Sequence, residues 1–390
     1  MNPEEMKRKL LNDIEALKSS EGYLNAGYPR YHALFGRDSL ISAWQMLEIE
    51  PSIARNTLQI LAKNQGNTEN PRAEEEPGRI LHEYQFHPEK QRDPPYWDFP
   101  YYGSVDSTPL FIILAGKYLQ QTGDKAFLLK LWDNIVAAFC WICDYGDLDG
   151  DGYVEYERKN PHGLFHQGWK DGVKDPLRIK PPVAIVEAQG YVYAAHQSVT
   201  SLARKFGKKK LSAEAVERLE CLRQKFNVDF WMEEEKYFAL ALDGQKKQRR
   251  VVTSNPGHLL FTGIVAKDKL EPTVSRLFKK DLWTPYGIRT HSTEDPDFDP
   301  CSYHMGSVWP HDNWIIYKGL QVLGFDRQAS RIRRALLRAF EELGKIPELY
   351  AVVNDRIIEL SHRAELSANP VQAWSSAGLL EILWERSPTP

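Results

Sequence analysis

The sequence predicts an all-α fold, an (α/α)6 barrel or six-hairpin toroid with long loops on one rim and little strand. Three observations predict it. Apolar residues recur at helical spacing in about twelve segments. The segments pair through turns of about 2–5 residues, as antiparallel helical hairpins require. Successive pairs are separated by about 25–45 residues, and their first helices start about 50–77 residues apart, a repeat of hairpins without sequence identity.

The first predicted helix covers 4–18. Helices over 38–48 and 51–64 follow, with Pro51 suited to a first helical turn. The next pair is 107–121 and 125–144, where Gly123 can end one helix and Asp124 can cap the other. Then come 184–206 and 211–229, 255–264 and 267–279, 306–323 and 326–342, and finally 371–386. The last helix has no following partner and 4–18 has no preceding one. Pairing the two closes a ring, so the chain reads as a single domain over 1–390 without an N-terminal β-sandwich. Alternating, strand-like patterns are confined to 237–242 and 356–360.

First helices such as 107–119 and 306–323 carry few charges, whereas 211–229 and 326–342 are charged on one face. An inner and an outer ring follow. Each long connection then runs from an outer helix to the next inner one, and all lie on one rim.

A net charge of −3 over 390 residues argues against a nucleic-acid partner. No apolar run reaches the roughly 18–20 residues of a membrane span. The N-terminal segment is charged and helical, unlike a signal peptide. Cys140 and Cys143 fall in an apolar helix pattern and read as buried thiols, which with Cys221 and Cys301 fits a reducing cytoplasm. A monomer or weak homodimer without a cofactor is expected. Aromatic residues make up 12% of the chain, many in loops. They suit either stacking on sugar C–H faces or packing around long connections.

The unusual residues gather where inner helices begin: Phe35–Ser39, Tyr101–Ser107, Gly168–Gly172, Pro181–Tyr191, Ser254–His258, His304–Asn313 and Ser367–Trp374. Together they predict one pocket. Asp38, Asp106 and Asp312 sit at helix N-termini, where the dipole keeps a carboxylate ionised, fit for binding hydroxyls or for capping. Arg37 can pair with Asp38 or bind hydroxyls itself. Tyr102, Trp169, Lys170, Gln189 and Trp374 complete the candidate sugar contacts.

A general acid must hold its proton near neutral pH, so its pKa must be raised. Asp171 lies in a loop beside Trp169, away from any helix start, and the indole can desolvate it. Lys170 would oppose that if it faced the same way. Asp175, before Pro176, reads as a turn residue. For the partner, Glu348 stands after Pro347 in an otherwise apolar stretch. Glu365 and Glu187 are its rivals, although the helical spacing of Glu187 with Tyr191 suits a pocket wall or a buried hydrogen bond better.

Two carboxylates facing across an aromatic pocket describe a glycoside hydrolase. No phosphate loop, serine elbow or zinc motif competes. His82, His291, His304 and His311 leave a sugar isomerase or epimerase open, and a non-catalytic sugar binder is a third reading. Asp147, Asp149, Asp151 and Gly152 form half of a calcium loop, but the twelfth position is Arg158, so a charged turn is preferred over a metal site. The stretch 65–105 is long for a connector and reads equally as a lid over the pocket or as a partly mobile loop.

FGRDSLISA, PGRILHE (77–83), YYGSVDSTPLF, GWKDG, VEAQGYVYAA, YGIRTHS (286–292), YHMGSVWPHDN, PEL and PVQAWS, in this order, resemble the amylo-α-1,6-glucosidase or glycogen-debranching glucosidase family of six-hairpin glycosidases. The resemblance covers about 30–385. It implies an inverting hydrolase with Asp171 as general acid and Glu348 as general base. It also implies that Arg37 and Asp38 hold the terminal sugar, with Asp106 alongside and Trp309, His311, Asp312 and Asn313 on the wall. An oligosaccharide substrate follows, with glucose released from short α-1,6 or α-1,4 gluco-oligosaccharides. Rhamnosides, trehalose and sucrose are alternatives. Two departures matter: relatives often carry a β-rich N-terminal domain, and Gly172 replaces a small polar residue after the acid.

Overall fold

The computed structural model describes residues 2–85, 96–363 and 368–384. Helix α1 is Pro3–Leu17, and the Asn2 side chain caps it by accepting the Glu5 N–H at 2.8 Å. Met6, Leu10, Ile14 and Leu17 recur at helical spacing and are all buried. The first hairpin is α2 (Gly36–Gln45) and α3 (Pro51–Lys63). Helix α4 (Ser107–Thr122) ends at Gly123 in the left-handed conformation (φ 70°), and the Asp124 carboxylate then accepts the Phe127 N–H at 3.0 Å. The segment expected as one helix over 125–144 is divided at Leu131 into α5 (Lys125–Lys130) and α6 (Trp132–Asp144). Then follow α7 (Val186–Lys205), α8 (Lys209–Asp229), a 3₁₀ helix over Asn255–Phe261, α9 (Lys267–Leu277), α10 (Pro310–Val322), α11 (Asp326–Leu343) and α12 (Ala373–Trp384).

Packing follows a ring. Helix α2 meets α4, α4 meets α7, α7 meets the 3₁₀ helix, that helix meets α10, α10 meets α12, and α12 returns to α2. Outside, α3, α6, α8, α9 and α11 each lean on the inner element before them, while α1 packs on α12. Ser376 of α12 donates to Asp13 of α1 at 2.9 Å. The architecture is an (α/α)6 barrel.

Three boundaries differ from the periodicity. The fourth inner element is a 3₁₀ helix, because Pro256 and Gly257 interrupt its start and α10 crosses it closely. A Cβ on Gly319 of α10 would lie 2.5 Å from Leu260 Cβ and 2.9 Å from the Phe261 nitrogen. Gly319→Ala is therefore expected to cost about 1–3 kcal/mol through overpacking, read as a lower urea midpoint with an unchanged slope. Helix α10 starts at Pro310, since Val308 bridges Tyr350 and Arg289 in extended conformation. The 237–242 run is two short strands. Tyr237–Phe238 pairs with Trp231–Met232, and Ala241–Leu242 lies between Ala184–Ile185 and Gln248–Arg249. Arg356–Glu359 forms a hairpin with Tyr350–Val353.

The reading of Cys140 and Cys143 as buried thiols is corrected: Cys140 is exposed and Cys143 half-buried. Among the described residues, no helix is long and apolar enough to cross a membrane.

Candidate active site

Leu34–Phe35 pairs with Glu83–Tyr84, and the Gly36 N–H bonds to the His82 carbonyl at 2.9 Å. This pins the start of α2. Only glycine fits at position 36, where a Cβ would stand 2.0 Å from the Leu81 carbonyl oxygen. Arg37 and Asp38 thereby enter the first turn of α2 facing a cavity of about 700 Å³.

The loop carrying Trp169 and Asp171 is closed at its base by the Phe165 and His166 N–H groups, which donate to the Gly172 carbonyl at 2.8 and 3.2 Å. Arg37 holds its tip. The guanidinium donates to Asp171 at 2.8 Å, to the Gly168 carbonyl at 2.9 Å and to Asp106 at 2.7 Å. Ser104 gives Asp106 a further hydroxyl donor at 2.7 Å. Asp106 precedes α4 but caps nothing there, because its carboxylate is taken up by Arg37 and Ser104.

Glu348 arrives from the connection between α11 and α12. Its backbone N–H donates to the Asn369 carbonyl at 3.0 Å, and the Asn369 N–H returns a bond to its carboxylate at 2.7 Å. Tyr303 donates its hydroxyl to the other carboxylate oxygen at 2.7 Å. Trp169, Trp309 and Trp374 line the same cavity as the two carboxylates.

Of the sequence-predicted residues, Arg37, Asp38, His82, Trp169, Asp171, His304, Trp309, Glu348 and Trp374 line the cavity together. The others do not, and each has a physical reason. Tyr102 turns outward and donates to the Asn64 carbonyl at 2.8 Å. Gln189 spends both ends of its amide on the Val154 backbone, at 3.0 and 2.7 Å. Glu187 accepts from Asn255 at 3.0 Å, the buried hydrogen bond that its spacing allowed. Asp312 pairs with His258 at 2.8 Å deeper in the barrel. Lys170 points away from Asp171 and donates to the Thr290 carbonyl at 2.8 Å. Burial lowers its pKa to about 7, against the pull of Asp312, Glu187 and Asp295. His311 lies behind the wall, stacked on Trp374 at 3.7 Å. Glu365 lies outside the described residues, as do positions 86–95 of the 65–105 stretch. Tyr96, Trp97 and Phe99 from the rest of that stretch line the cavity.

Sequence reasoning missed Tyr303 and Gln372. Gln372 donates to Asp38 at 3.0 Å from the other end of the chain. Its place in the PVQAW run was the available signal.

The electrostatics correct one expectation. Asp38 does not stay an ordinary ionised carboxylate: burial pushes its pKa to about 7 despite Arg37, with Asp171 and Asp106 adding repulsion. Burial also raises Asp171 while Arg37 opposes it. Glu348, 2% exposed, rises to about 8 through burial, against the Tyr303 and Asn369 bonds, with Asp38 and Asp171 adding to the rise. His82 and His304 line the cavity, but burial holds both well below the usual imidazole range, so they stay neutral at working pH. That disfavours histidine acid–base chemistry.

Three crowded carboxylates share protons as a set. An acid–base pair needs one proton between Asp171 and Glu348. Above pH about 8 both are ionised and nothing remains to protonate a leaving oxygen. At low pH both are protonated and neither can accept a proton from water. The profile of kcat/KM should therefore be bell-shaped with an alkaline limb near 8. Tyr303→Phe removes a bond that favours ionised Glu348, so that limb should move upward in a pH–rate series.

Asp147, Asp149 and Asp151 lie with ligand atoms within 4.8 Å of one another. Lys246 approaches Asp149 at 2.9 Å and Asp151 at 3.0 Å, and also pairs with Glu155, while Lys225 reaches Asp151 at 2.9 Å. Asp147 accepts the N–H groups of Gly150, Asp151 and Gly152, each at 2.9 Å. Ammonium groups thus neutralise this charged turn.

The family model for the mannosylglycerate hydrolase MGH1-like glycoside hydrolase domain matches residues 31–354. The chain belongs to this family. Both carboxylates and Arg37 lie inside the match. The MGH1-like family is a six-hairpin glycosidase family, as the motifs implied, and the match does not extend to the finer likeness to the glycogen-debranching family. The chain is a glycoside hydrolase. Mannosylglycerate hydrolase MGH1 of Selaginella moellendorffii is 31% identical over 75 residues, 19% of this chain and 15% of that protein. The aligned part thus spans a small fraction of that relative's length. The GH63 mannosylglycerate hydrolase of Thermus thermophilus, solved with Tris, superposes with a TM-score of 0.72 at 14% identity, covering 98% of this chain and 100% of that one. An uncharacterized conserved protein from the same organism gives 0.74 at 17% identity, with the same coverage. At these identities the likeness is one of fold.

Proposed function

We propose that this MGH1-like protein hydrolyses a small glycoside with inversion at the anomeric carbon, and that mannosylglycerate is the first substrate to test. One observation carries the reading. Asp171 and Glu348 arrive from separate connections and line one aromatic-walled cavity of about 700 Å³. That volume suits a ligand of one or two sugar-sized units. The names of the family and of its relatives supply the substrate.

Asp171, on the loop held by Arg37, protonates the glycosidic oxygen as the bond breaks. Glu348, oriented by Tyr303 and Asn369, takes a proton from a water that attacks the opposite face. Asp38 and Gln372 bind hydroxyls of the sugar between the tryptophans, while Arg37 holds the loop of the acid. One proton enters the leaving alcohol and one leaves the water, so the pair needs a proton transfer through solvent before the next turnover.

A second reading keeps the same chemistry but takes short α-1,6 or α-1,4 gluco-oligosaccharides, as the FGRD, GWKD and PEL motifs suggest. A panel of mannosylglycerate, glucosylglycerate, isomaltose and panose, followed by NMR of the first product anomer, separates the two. Cleavage of none of them would sink the hydrolase assignment for small glycosides. A first product with the substrate's own anomeric configuration would sink inversion.

A further inference from the structure

The cavity has a deep end and a rim. Arg37, Asp38, Trp169, Trp309, Glu348 and Trp374 are buried. Gly172, Val173, Lys174 and Pro176, immediately after the acid, form part of a more exposed border. A general acid stands on the leaving-group side of the scissile bond. The segment that follows Asp171 therefore borders the aglycone, in a cavity also lined by Tyr96, which is 47% exposed, and Trp97, which stacks on Tyr101 at 4.4 Å.

The charges on this border are uneven. Asp38, Asp171 and Glu348 all face the cavity, and each of them repels an anionic ligand when it is ionised. Glu83 is there too, engaged by Gln85 at 2.8 Å. Among the lining residues, Arg37 and Lys174 are the arginine and the lysine. Arg37 is consumed by Asp106 and Asp171. Lys174 forms no ion pair among the described residues, and its neighbour Asp175 is turned to His166 at 2.7 Å. An acid on the aglycone needs a compensating charge, and Lys174 is the cation left to provide it.

We propose that Lys174 is a specificity residue whose ammonium pairs with the carboxylate of an acidic aglycone. The inference rests on the hydrolase reading above and adds the group that selects for an anionic leaving half. The test compares mannosylglycerate with the matching mannosylglycerol, which lacks the carboxylate, in wild type, Lys174→Gln and Lys174→Arg. Lys174→Gln should reduce the preference for the acid by about tenfold, chiefly through KM, because a single charge-assisted bond at a half-open site is worth about that factor. Lys174→Arg should restore most of it. Added salt should erode the preference in wild type and leave Lys174→Gln unaffected. An unchanged preference in Lys174→Gln, or an equal loss on both glycosides, overturns the role while leaving the hydrolase intact. Failure of the wild type to cleave either glycoside rejects the hydrolase reading, and this inference falls with it.

Discussion

Asp171→Asn and Glu348→Gln are each expected to lower kcat/KM by about 10²–10⁴-fold, the range that a positioned acid or base supplies. Stability should change little. In Glu348→Gln the new amide keeps the size and planarity of the carboxylate, and its carbonyl can still accept from Tyr303 or from the Asn369 N–H. In Asp171→Asn, Arg37 retains Asp106 and the Gly168 carbonyl. Helical circular dichroism and the thermal midpoint should therefore track wild type while product release, followed by NMR, collapses. Wild-type turnover in either variant removes that carboxylate from the mechanism. Because the two act as a unit, the double variant should lose far less than the product of the single losses.

The second large effect is on folding. Arg37 and Asp106 are 2% and 0% exposed and meet at 2.7 Å. Arg37→Met fills similar space but strands a carboxylate in the barrel with only Ser104 beside it. Breaking a buried pair from one side costs about 3–5 kcal/mol, whereas removing both partners often costs little. Urea unfolding should show that loss in Arg37→Met, and Arg37→Met/Asp106→Leu should recover a large part of it. A single variant within about 1 kcal/mol of wild type would mean that the pair is not what holds the loop. Activity should vanish in both variants, since Asp171 loses its anchor in each.

The barrel was legible in the chain because helical periodicity survives burial on one side, and because short and long connections alternate. The loops were harder. Val308 looks like the start of a helix, yet pairing with Tyr350 draws it into extended conformation, and no local pattern announces a partner so far along the chain. The acid and the base were legible as loop residues with an odd charge or an aromatic neighbour, and both line the predicted pocket. The bridge from Arg37 to Asp106 and Asp171 was not, since it joins positions 69 and 134 residues apart. Burial of Asp38 reversed a local argument in the same way: the helix dipole favours its charge, but its position inside the barrel costs more. Tyr303 went unnoticed beside His304 because nothing in the sequence says which of two adjacent rings faces Glu348.

The seam between α1 and α12 has a consequence for how the molecule is made. The apolar stripe of α1 emerges long before residues Ala373–Trp384 and must wait for them before it finds the surface that covers it. Until then the growing polypeptide is an open arc with two unsatisfied faces, one at each end. Loop-closure entropy makes that last joining the step of greatest sequence separation. A ribosome-bound chain stopped just short of α12 should expose α1 to proteases and chaperones, and the twelve residues of α12 then act as the latch.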